Sequence, residues 1–139
     1  MKIIRQSKDF INALTLWAST QPNIKAIALV GSYARGTFTA SSDIDLILLA
    51  NEPEEYLKNT DWVKLFGSVI KQQIEHYGKV TSLRVWYADG REIEYGMTDP
   101  RWAKPPLDEG TRRVIMNGMK VLFERKDLLS PHLKDSHKR

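Results

Sequence analysis

The chain of 139 residues contains no cysteine and only 3 histidines. Without cysteine there can be no disulfide, no thiolate metal site and no cysteine nucleophile, so carboxylates are the main candidates for metal ligands. The histidines, His76, His132 and His137, lack the spacing of a ligand set, and we expect all three at the surface. A metal site in this chain would therefore use oxygen ligands, which favours a hard cation such as Mg²⁺.

Long apolar runs, internal repeats and flexible linkers are also absent. No run approaches the length that spans a bilayer, and the first residues turn polar too soon for a signal peptide. We therefore expect a cytoplasmic protein that does not enter a membrane. The length suits one domain over residues 1–139, in which residues 132–139 are predicted to form a flexible basic tail.

Positive charge is in slight excess, with a net charge of +4 at pH 7. This balance suits an anionic ligand but does not distinguish a nucleotide from a nucleic acid. Because part of the excess lies in the predicted tail, we do not expect nucleic-acid binding.

A Gly-Ser turn follows the first strongly apolar run. Ile24 to Val30 is apolar except for one lysine and predicts a strand buried on both faces, near the middle of a sheet. The strand ends at Gly31 and Ser32. A short helix is predicted to follow, and Arg35 lies about one helical turn after Ser32. Free backbone N–H groups, a hydroxyl and an arginine suit a phosphate, although an ordinary surface arginine accounts for Arg35 equally well.

Two carboxylates open the next predicted strand, Asp43–Leu49. Asp43 and Asp45 alternate with Ile44 and Leu46, so both carboxylates share one face, about 6 to 7 Å apart along the strand. Two like charges at the start of an otherwise apolar strand carry a cost in desolvation and repulsion unless a positive group lies between them. A divalent cation is the obvious candidate.

Other phosphate-binding motifs do not fit this stretch. Gly31 and Gly36 have the spacing of a P-loop, but Thr37 and Phe38 stand where that loop requires lysine and then serine or threonine. A dinucleotide-binding fingerprint fails because its third glycine is missing.

A β-hairpin is predicted later in the chain, between Leu83–Tyr87 and Glu92–Met97. A two-residue loop would place a glutamate on the apolar face of the hairpin. A three-residue loop with Gly90 in a left-handed bulge separates apolar from polar side chains and sets Arg84 opposite Glu94. We predict this second register.

The remaining elements are predicted from helix caps, turn residues and hydrophobic periodicity. Ser68–His76 is ambiguous between helix and strand, and the hairpin that follows it favours strand. The helices are predicted from the N-cap Ser7 to Ser19, from Pro53, over Asp61–Phe66 and over Leu107–Asn117, and a last strand over Met119–Glu124.

The string Gly31-Ser32, ten residues, then Asp43-Ile44-Asp45-Leu46 resembles the signature of the DNA polymerase β-like nucleotidyltransferase superfamily. In that superfamily the Gly-Ser turn binds a nucleoside triphosphate and the Asp-x-Asp pair holds metal. The compact spacing and the stretch Ser82–Trp102 look most like small bacterial nucleotidyltransferases related to aminoglycoside adenylyltransferases. The resemblance implies an α+β fold, a central mixed sheet of about five strands with helices packed on one side.

The resemblance also implies a third metal-binding carboxylate on a later strand. Glu94, in Ile93-Glu94-Tyr95, matches that pattern, whereas Glu92 is expected to be an ordinary exposed strand residue. Arg84 is predicted to contact phosphate, and a cross-strand ion pair with Glu94 is an equal alternative. The implied ligands of two Mg²⁺ ions, or of Mn²⁺ in their place, are Asp43, Asp45 and Glu94, and the implied nucleotide-binding residues are Gly31, Ser32, Arg35 and Arg84.

The implied reaction moves a nucleoside monophosphate, AMP from ATP, onto a hydroxyl and releases pyrophosphate. The acceptor stays open between a small molecule and a protein, and a homodimer would help to enclose a small one. We expect a half-enclosed acceptor surface lined by Trp86, Trp102 and the loop Pro100–Pro106. Two alternatives remain: an antitoxin that adds AMP to a HEPN-type toxin, and a nucleotide-binding module without turnover.

Overall fold

The computed structural model describes residues 2–39 and 42–136, which build one six-stranded β-sheet with helices against it. The strands are β1 (Ile24–Val30), β2 (Ile44–Ala50), β3 (Val69–Tyr77), β4 (Val80–Tyr87), β5 (Glu92–Thr98) and β6 (Met119–Glu124). The α-helices are α1 (Lys2–Ser19), α2 (Gly31–Arg35), α3 (Pro53–Lys58), α4 (Glu109–Met116) and α5 (Ser130–Ser136), and two 3-10 helices cover Asp61–Phe66 and Pro100–Ala103. Within the described residues, none of the helices combines the length and apolarity required to cross a bilayer.

The strands lie in the order β3-β4-β5-β2-β1-β6. Neighbours pair antiparallel except β2 and β5, which are parallel, so the sheet is mixed as predicted. It contains six strands rather than about five, and the ambiguous segment before the hairpin is the edge strand β3. β1 lies between β2 and β6 and is buried along nearly its whole length, which confirms its prediction as an interior strand.

Helices cover both faces of the sheet, so the prediction that they pack on one side was wrong. On one face, the α1 face, Leu46 packs in the same core cluster as Leu14 of α1. On the other, the α4 face, Ile47 packs with Trp102 and with Ile115 of α4. The physical reason is that β1 and β2 are apolar at successive positions and need a cover on each side.

The hairpin between β4 and β5 has the predicted bulged register. Arg84 lies opposite Glu94, and Val85 lies opposite Ile93. Gly90 has a φ of +95°, in the region that favours glycine, as the three-residue loop requires. The register places Glu94 on the α4 face, whereas buried Ile93 belongs to the core of the α1 face.

Two predicted helix starts need correction. α1 begins at Lys2 and not after Ser7, because the residues before Ser7 are good helix formers without a breaker. α4 begins at Glu109, with Asp108 as its N-cap, where the Asp108 carboxylate accepts a hydrogen bond of 2.7 Å from the backbone N–H of Thr111.

The C-terminal segment also differs from its prediction. Residues 132–136 of the predicted flexible tail belong to helix α5, and residues 137–139 of it lie outside the described residues. His132 is buried, and its Nε2 lies 2.7 Å from the carbonyl oxygen of Ala103, so its predicted surface position was wrong. A single buried hydrogen bond of this kind is not visible in sequence periodicity. His76 is exposed as predicted, and His137 lies outside the described residues.

Candidate active site

The sheet order brings the separate motifs to one end of the α4 face. β1 is antiparallel to β2, so Val30 at the end of β1 pairs with Asp45 near the start of β2. β2 is parallel to β5, and Asp45 pairs there with Glu94. The turn at Gly31, the Asp-x-Asp pair and the predicted third carboxylate therefore meet.

Three carboxylates converge at this point. One oxygen from each of Asp43, Asp45 and Glu94 lies within 4.8 Å of the others, and all three residues are half-buried. Among the described residues, Asp45 Oδ1 is a buried atom without a hydrogen-bond partner. Burial, and then the neighbouring Asp43 charge and the contact with Glu94, raise the pKa of Asp45 from 3.8 to about 8. The cluster thus has the geometry of a cation site, and a bound cation would offset the repulsion that raises this pKa.

Gly31 packs directly against the Asp45 carboxylate. Its φ is +72°, and a Cβ at this position would collide with Asp45 Oδ2. The backbone can approach the carboxylate only because residue 31 has no side chain. This close approach joins the Gly-Ser turn to the carboxylate cluster.

Gly31→Ala is expected to lower the free energy of unfolding more than Gly36→Ala does. Both glycines have positive φ, so each change costs about 1 to 2 kcal/mol in backbone conformation. Only at Gly31 does the new methyl group also collide with a carboxylate, which adds roughly 1 to 3 kcal/mol, since nothing lies within 4 Å of a Cβ at Gly36. Urea unfolding measures the free energy of unfolding of both variants. An equal decrease in the two would contradict the close approach of Gly31 to Asp45.

Arg84 lies at the centre of a wider acidic group. Its guanidinium is 3.2 Å from Asp43, 3.0 Å from Glu75 and 3.3 Å from Glu94, and it also pairs with Glu92. Its hydrogen bond with Glu75 is the largest of the contacts that raise the pKa of Arg84. Four carboxylates thus share one guanidinium, so the ion pair that was the alternative for Arg84 is present.

Arg35 and Ser32 lie on the short helix α2, next to the carboxylates. α2 ends at Arg35, because Gly36 follows with a φ of +76°. Arg35 is exposed and lines a cleft on the α4 face. It packs against Gly118, where an added Cβ would lie 3.0 Å from Arg35 Cγ. Ser32 is half-buried. The structure therefore brings both to the end of the sheet where the carboxylates meet.

A cleft of about 800 Å³ extends from the carboxylates along the α4 face. Its apolar lining includes Val30, Ile47 and Trp102, and α4 contributes Thr111 and Val114 to the wall. The size is in the range of small-molecule sites. Asp45 and Glu94 lie in the same lining, so a ligand in the cleft would reach them.

Sequence reasoning missed two parts of this site. Glu75 was not identified, because Ser68–His76 was ambiguous and no face could be assigned to it. Its pairing opposite Ser82 places it on the α4 face, where Tyr77 donates a hydrogen bond of 2.6 Å to it. The wall formed by α4 was also missed, since helix periodicity does not say which face of a sheet a helix covers. Of the predicted acceptor surface, Trp102 lines the cleft but is only 4% exposed.

Comparison with known proteins identifies the family. The nucleotidyltransferase domain family model matches residues 12–96, which include the Gly-Ser turn and all three carboxylates. A protein of Methanocaldococcus jannaschii provisionally named a protein adenylyltransferase is 37% identical over 70 residues, covering 49% of this chain and 68% of that protein. A second protein of the same organism with the same kind of name is 38% identical over 58 residues, covering 42% of this chain and 59% of that protein.

Solved structures show the same fold at low sequence identity. An aminoglycoside 6-adenyltransferase from Bacillus subtilis is 18% identical, with a TM-score of 0.54, over 68% of this chain and 35% of that one. The Cid1 poly(U) polymerase is 14% identical, with a TM-score of 0.53, over 84% of this chain and 33% of that one. The chain spans about a third of the length of these two enzymes. The family model covers more than half of the chain, so the chain belongs to the nucleotidyltransferase domain family, and it shares its fold with these two enzymes.

Proposed function

We propose that this nucleotidyltransferase uses a divalent metal to move AMP from ATP onto a hydroxyl group, with release of pyrophosphate. The observation that carries the proposal is the convergence of the Asp43, Asp45 and Glu94 carboxylates beside the turn at Gly31. This reaction requires a cation and a triphosphate bound side by side. The carboxylates suit the cation, and the adjacent turn suits the triphosphate.

The residues present fit a hard divalent cation. Their ligand atoms are carboxylate oxygens, and Asp45 Oδ1 is buried without a partner among the described residues. Oxygen ligands suit Mg²⁺ and Mn²⁺. We propose that Asp43, Asp45 and Glu94 would hold two Mg²⁺ ions, with Mn²⁺ as a substitute. Such ions, when bound, stabilise the charge on the attacking and leaving oxygens of a phosphoryl transfer.

The chain's own residues position the reactants in this proposal. The backbone at Gly31 and the hydroxyl of Ser32 bind the β- and γ-phosphates, and the exposed Arg35 adds positive charge at the border of the cleft. The acceptor's hydroxyl oxygen attacks the α-phosphorus, and the bond from that phosphorus to the oxygen shared with the β-phosphate breaks. Pyrophosphate leaves, and the hydroxyl proton passes to a carboxylate oxygen of Glu94.

Arg84 has a positioning role in the same proposal. It holds Asp43 and Glu94 at 3.2 and 3.3 Å, which fixes two of the three carboxylates in place. In this proposal the guanidinium of Arg84 also contacts a phosphate of the bound nucleotide.

ATP and a protein hydroxyl are the proposed donor and acceptor. The names of the relatives, protein adenylyltransferases and an aminoglycoside adenyltransferase, support AMP as the transferred group. Two of them support a protein as the acceptor. The cytoplasm, where ATP and Mg²⁺ are abundant, is the proposed location.

The test is transfer from ATP labelled at either the α- or the γ-phosphate, with Mg²⁺, to proteins of a cell extract. We expect label from the α-position only, together with pyrophosphate. Glu94→Gln should lower the rate at least about 100-fold, because it removes the base. Glu92→Gln, on the same strand and also paired with Arg84, is the matched control and should retain most activity. Equal loss in both variants, or label from the γ-position, would contradict the proposal.

A further inference from the structure

The edge strand β3 has an unusual surface for a strand without a neighbour. It lies at one edge of the sheet, pairs only with β4 among the described strands and is 9 residues long. Seven of these residues are exposed, including Ile70 at 70%, Ile74 at 43% and Tyr77 at 54%. The strand contains no proline, and edges of this length with exposed apolar side chains are templates for pairing with another strand.

The sequence of β3 is complementary to itself in the antiparallel direction. With a two-fold axis at Gln73, Lys71 of one chain faces Glu75 of the other, and the same pair repeats across the axis. Opposite charges on directly facing residues stabilise an antiparallel pair. Gln72 faces Ile74 in this register, so the two Ile74 side chains become diagonal neighbours on the α1 face and cover each other's apolar surface.

The backbone fits the same register. In an antiparallel ladder every second residue points its N–H and C=O groups away from the partner strand, so alternate residues of β3 point these groups away from β4. Two residues at equal distance from Gln73, one on each side, have numbers that differ by an even amount. Their backbone groups therefore point in the same direction, both toward β4 or both away from it. Each outward-pointing group would then meet an outward-pointing group of the second chain.

We propose that β3 pairs antiparallel with β3 of a second copy of this chain, with Gln73 on the two-fold axis. Such an interface is isologous and closes at a dimer, whereas pairing β3 with the opposite edge β6 would continue from chain to chain without closing. The two sheets join into one continuous sheet, and the edge that is exposed in one copy becomes interior.

The dimer adds a residue to the candidate active site. Glu75 ion-pairs with Arg84, which in turn contacts Asp43 and Glu94. Lys71 shares the α4 face with Trp86, over whose ring its Nζ lies 4.9 Å from the centroid. Lys71 of the second copy, placed opposite Glu75, would thus bring a positive charge from outside the chain to the border of the acidic group. That role at the site rests on the proposed function, but the pairing itself does not.

Disulfide trapping tests the pairing, because the natural chain has no cysteine. Directly facing residues of an antiparallel pair have Cα atoms about 4.5 to 5.5 Å apart, which a disulfide spans. The 139-residue chain with Gln73→Cys, mildly oxidised at micromolar concentration, should give a covalent dimer of about twice 16.0 kDa. Leu16→Cys, at an exposed position on α1, is the control and should remain a monomer on a non-reducing gel.

The register has its own test. Lys71→Cys and Glu75→Cys should each crosslink poorly alone, and a mixture of the two should crosslink efficiently. Sedimentation of the natural chain should give the dimer mass, Lys71→Glu should shift it toward the monomer, and Lys71→Glu combined with Glu75→Lys should restore the dimer. The proposal is overturned if Gln73→Cys crosslinks no better than Leu16→Cys, or if the natural chain sediments as a monomer. None of these readouts depends on nucleotide transfer.

Discussion

Asp45→Asn is expected to make the metal-free protein more stable at pH 8, not less. The folded chain raises the pKa of the Asp45 carboxyl from 3.8 to about 8, mainly through burial. Between these values the folded state holds a proton that the unfolded state has released, so the free energy of unfolding falls as the pH rises from about 4 to 8. An asparagine does not ionise, so the free energy of unfolding of Asp45→Asn does not fall with pH for this reason.

The size of the effect follows from the shift. Four pKa units correspond to roughly 5 to 6 kcal/mol as an upper bound, and solvent at the open side of the cleft screens part of this, so we expect about 2 to 3 kcal/mol at pH 8. For a domain of this size the melting temperature should rise by roughly 5 °C or more. Thermal melts of both proteins from pH 5 to 9 without divalent metal measure it. The control is Asp127→Asn, at an exposed position, which should change little.

The difference should disappear at low pH, which separates it from a packing effect. Near pH 4 both the aspartic acid and the asparagine are neutral in the folded protein, so their melting temperatures should approach each other. If Asp45→Asn were less stable than the natural protein at every pH, the cost assigned to ionising Asp45 in the folded protein would be wrong.

Arg84→Met should have the opposite effect, a large loss of stability in the metal-free protein. The Arg84 side chain is 18% exposed and pairs with Asp43, Glu75, Glu92 and Glu94. Removing it leaves these carboxylates to repel one another in a partly buried site, which we expect to cost about 2 to 4 kcal/mol. Urea unfolding at pH 7.5 with a chelator present measures the loss.

Mg²⁺ should restore part of that stability, since a cation at the carboxylates replaces the missing positive charge. The increase in melting temperature on adding Mg²⁺ should therefore be larger for Arg84→Met than for the natural protein. The matched control is Arg101→Met, which removes an ion pair with Asp99 from a side chain that is 83% exposed. Such a pair contributes about 0 to 1 kcal/mol. If the two variants lost the same amount, Arg84 would not have the central position described for it.

The parts of the site that the sequence predicts are those encoded locally. The alternation of polar and apolar residues along Asp43–Leu49 predicted that the two aspartates lie on the same face of the strand. The glycine in the hairpin turn predicted the register in which Glu94 lies opposite Arg84. Each of these depends on residues that are at most ten positions apart. A signature with fixed spacing then connected them to a family.

The parts that could not be predicted depend on pairing between distant segments. Nothing in the periodicity of β2 or β5 requires them to be parallel neighbours, yet this pairing sets Asp45 beside Glu94. Glu75 lies in the site because β3 pairs with β4. His132 is buried against Ala103, which is 29 residues away in the sequence. The cover of helices on both faces follows from burial of β1 and β2 on both sides, which a single strand's pattern indicates only in part.

Metal binding measures the central claim most directly, namely that Asp43, Asp45 and Glu94 form one cation site beside the nucleotide. Mn²⁺ can be titrated into the protein with a non-hydrolysable ATP analogue, and the free ion followed by electron paramagnetic resonance. The natural chain should bind Mn²⁺ saturably, Asp43→Asn combined with Glu94→Gln should lose at least about 10-fold in affinity, and Glu92→Gln should bind like the natural chain. Undiminished binding by the double variant would contradict the account.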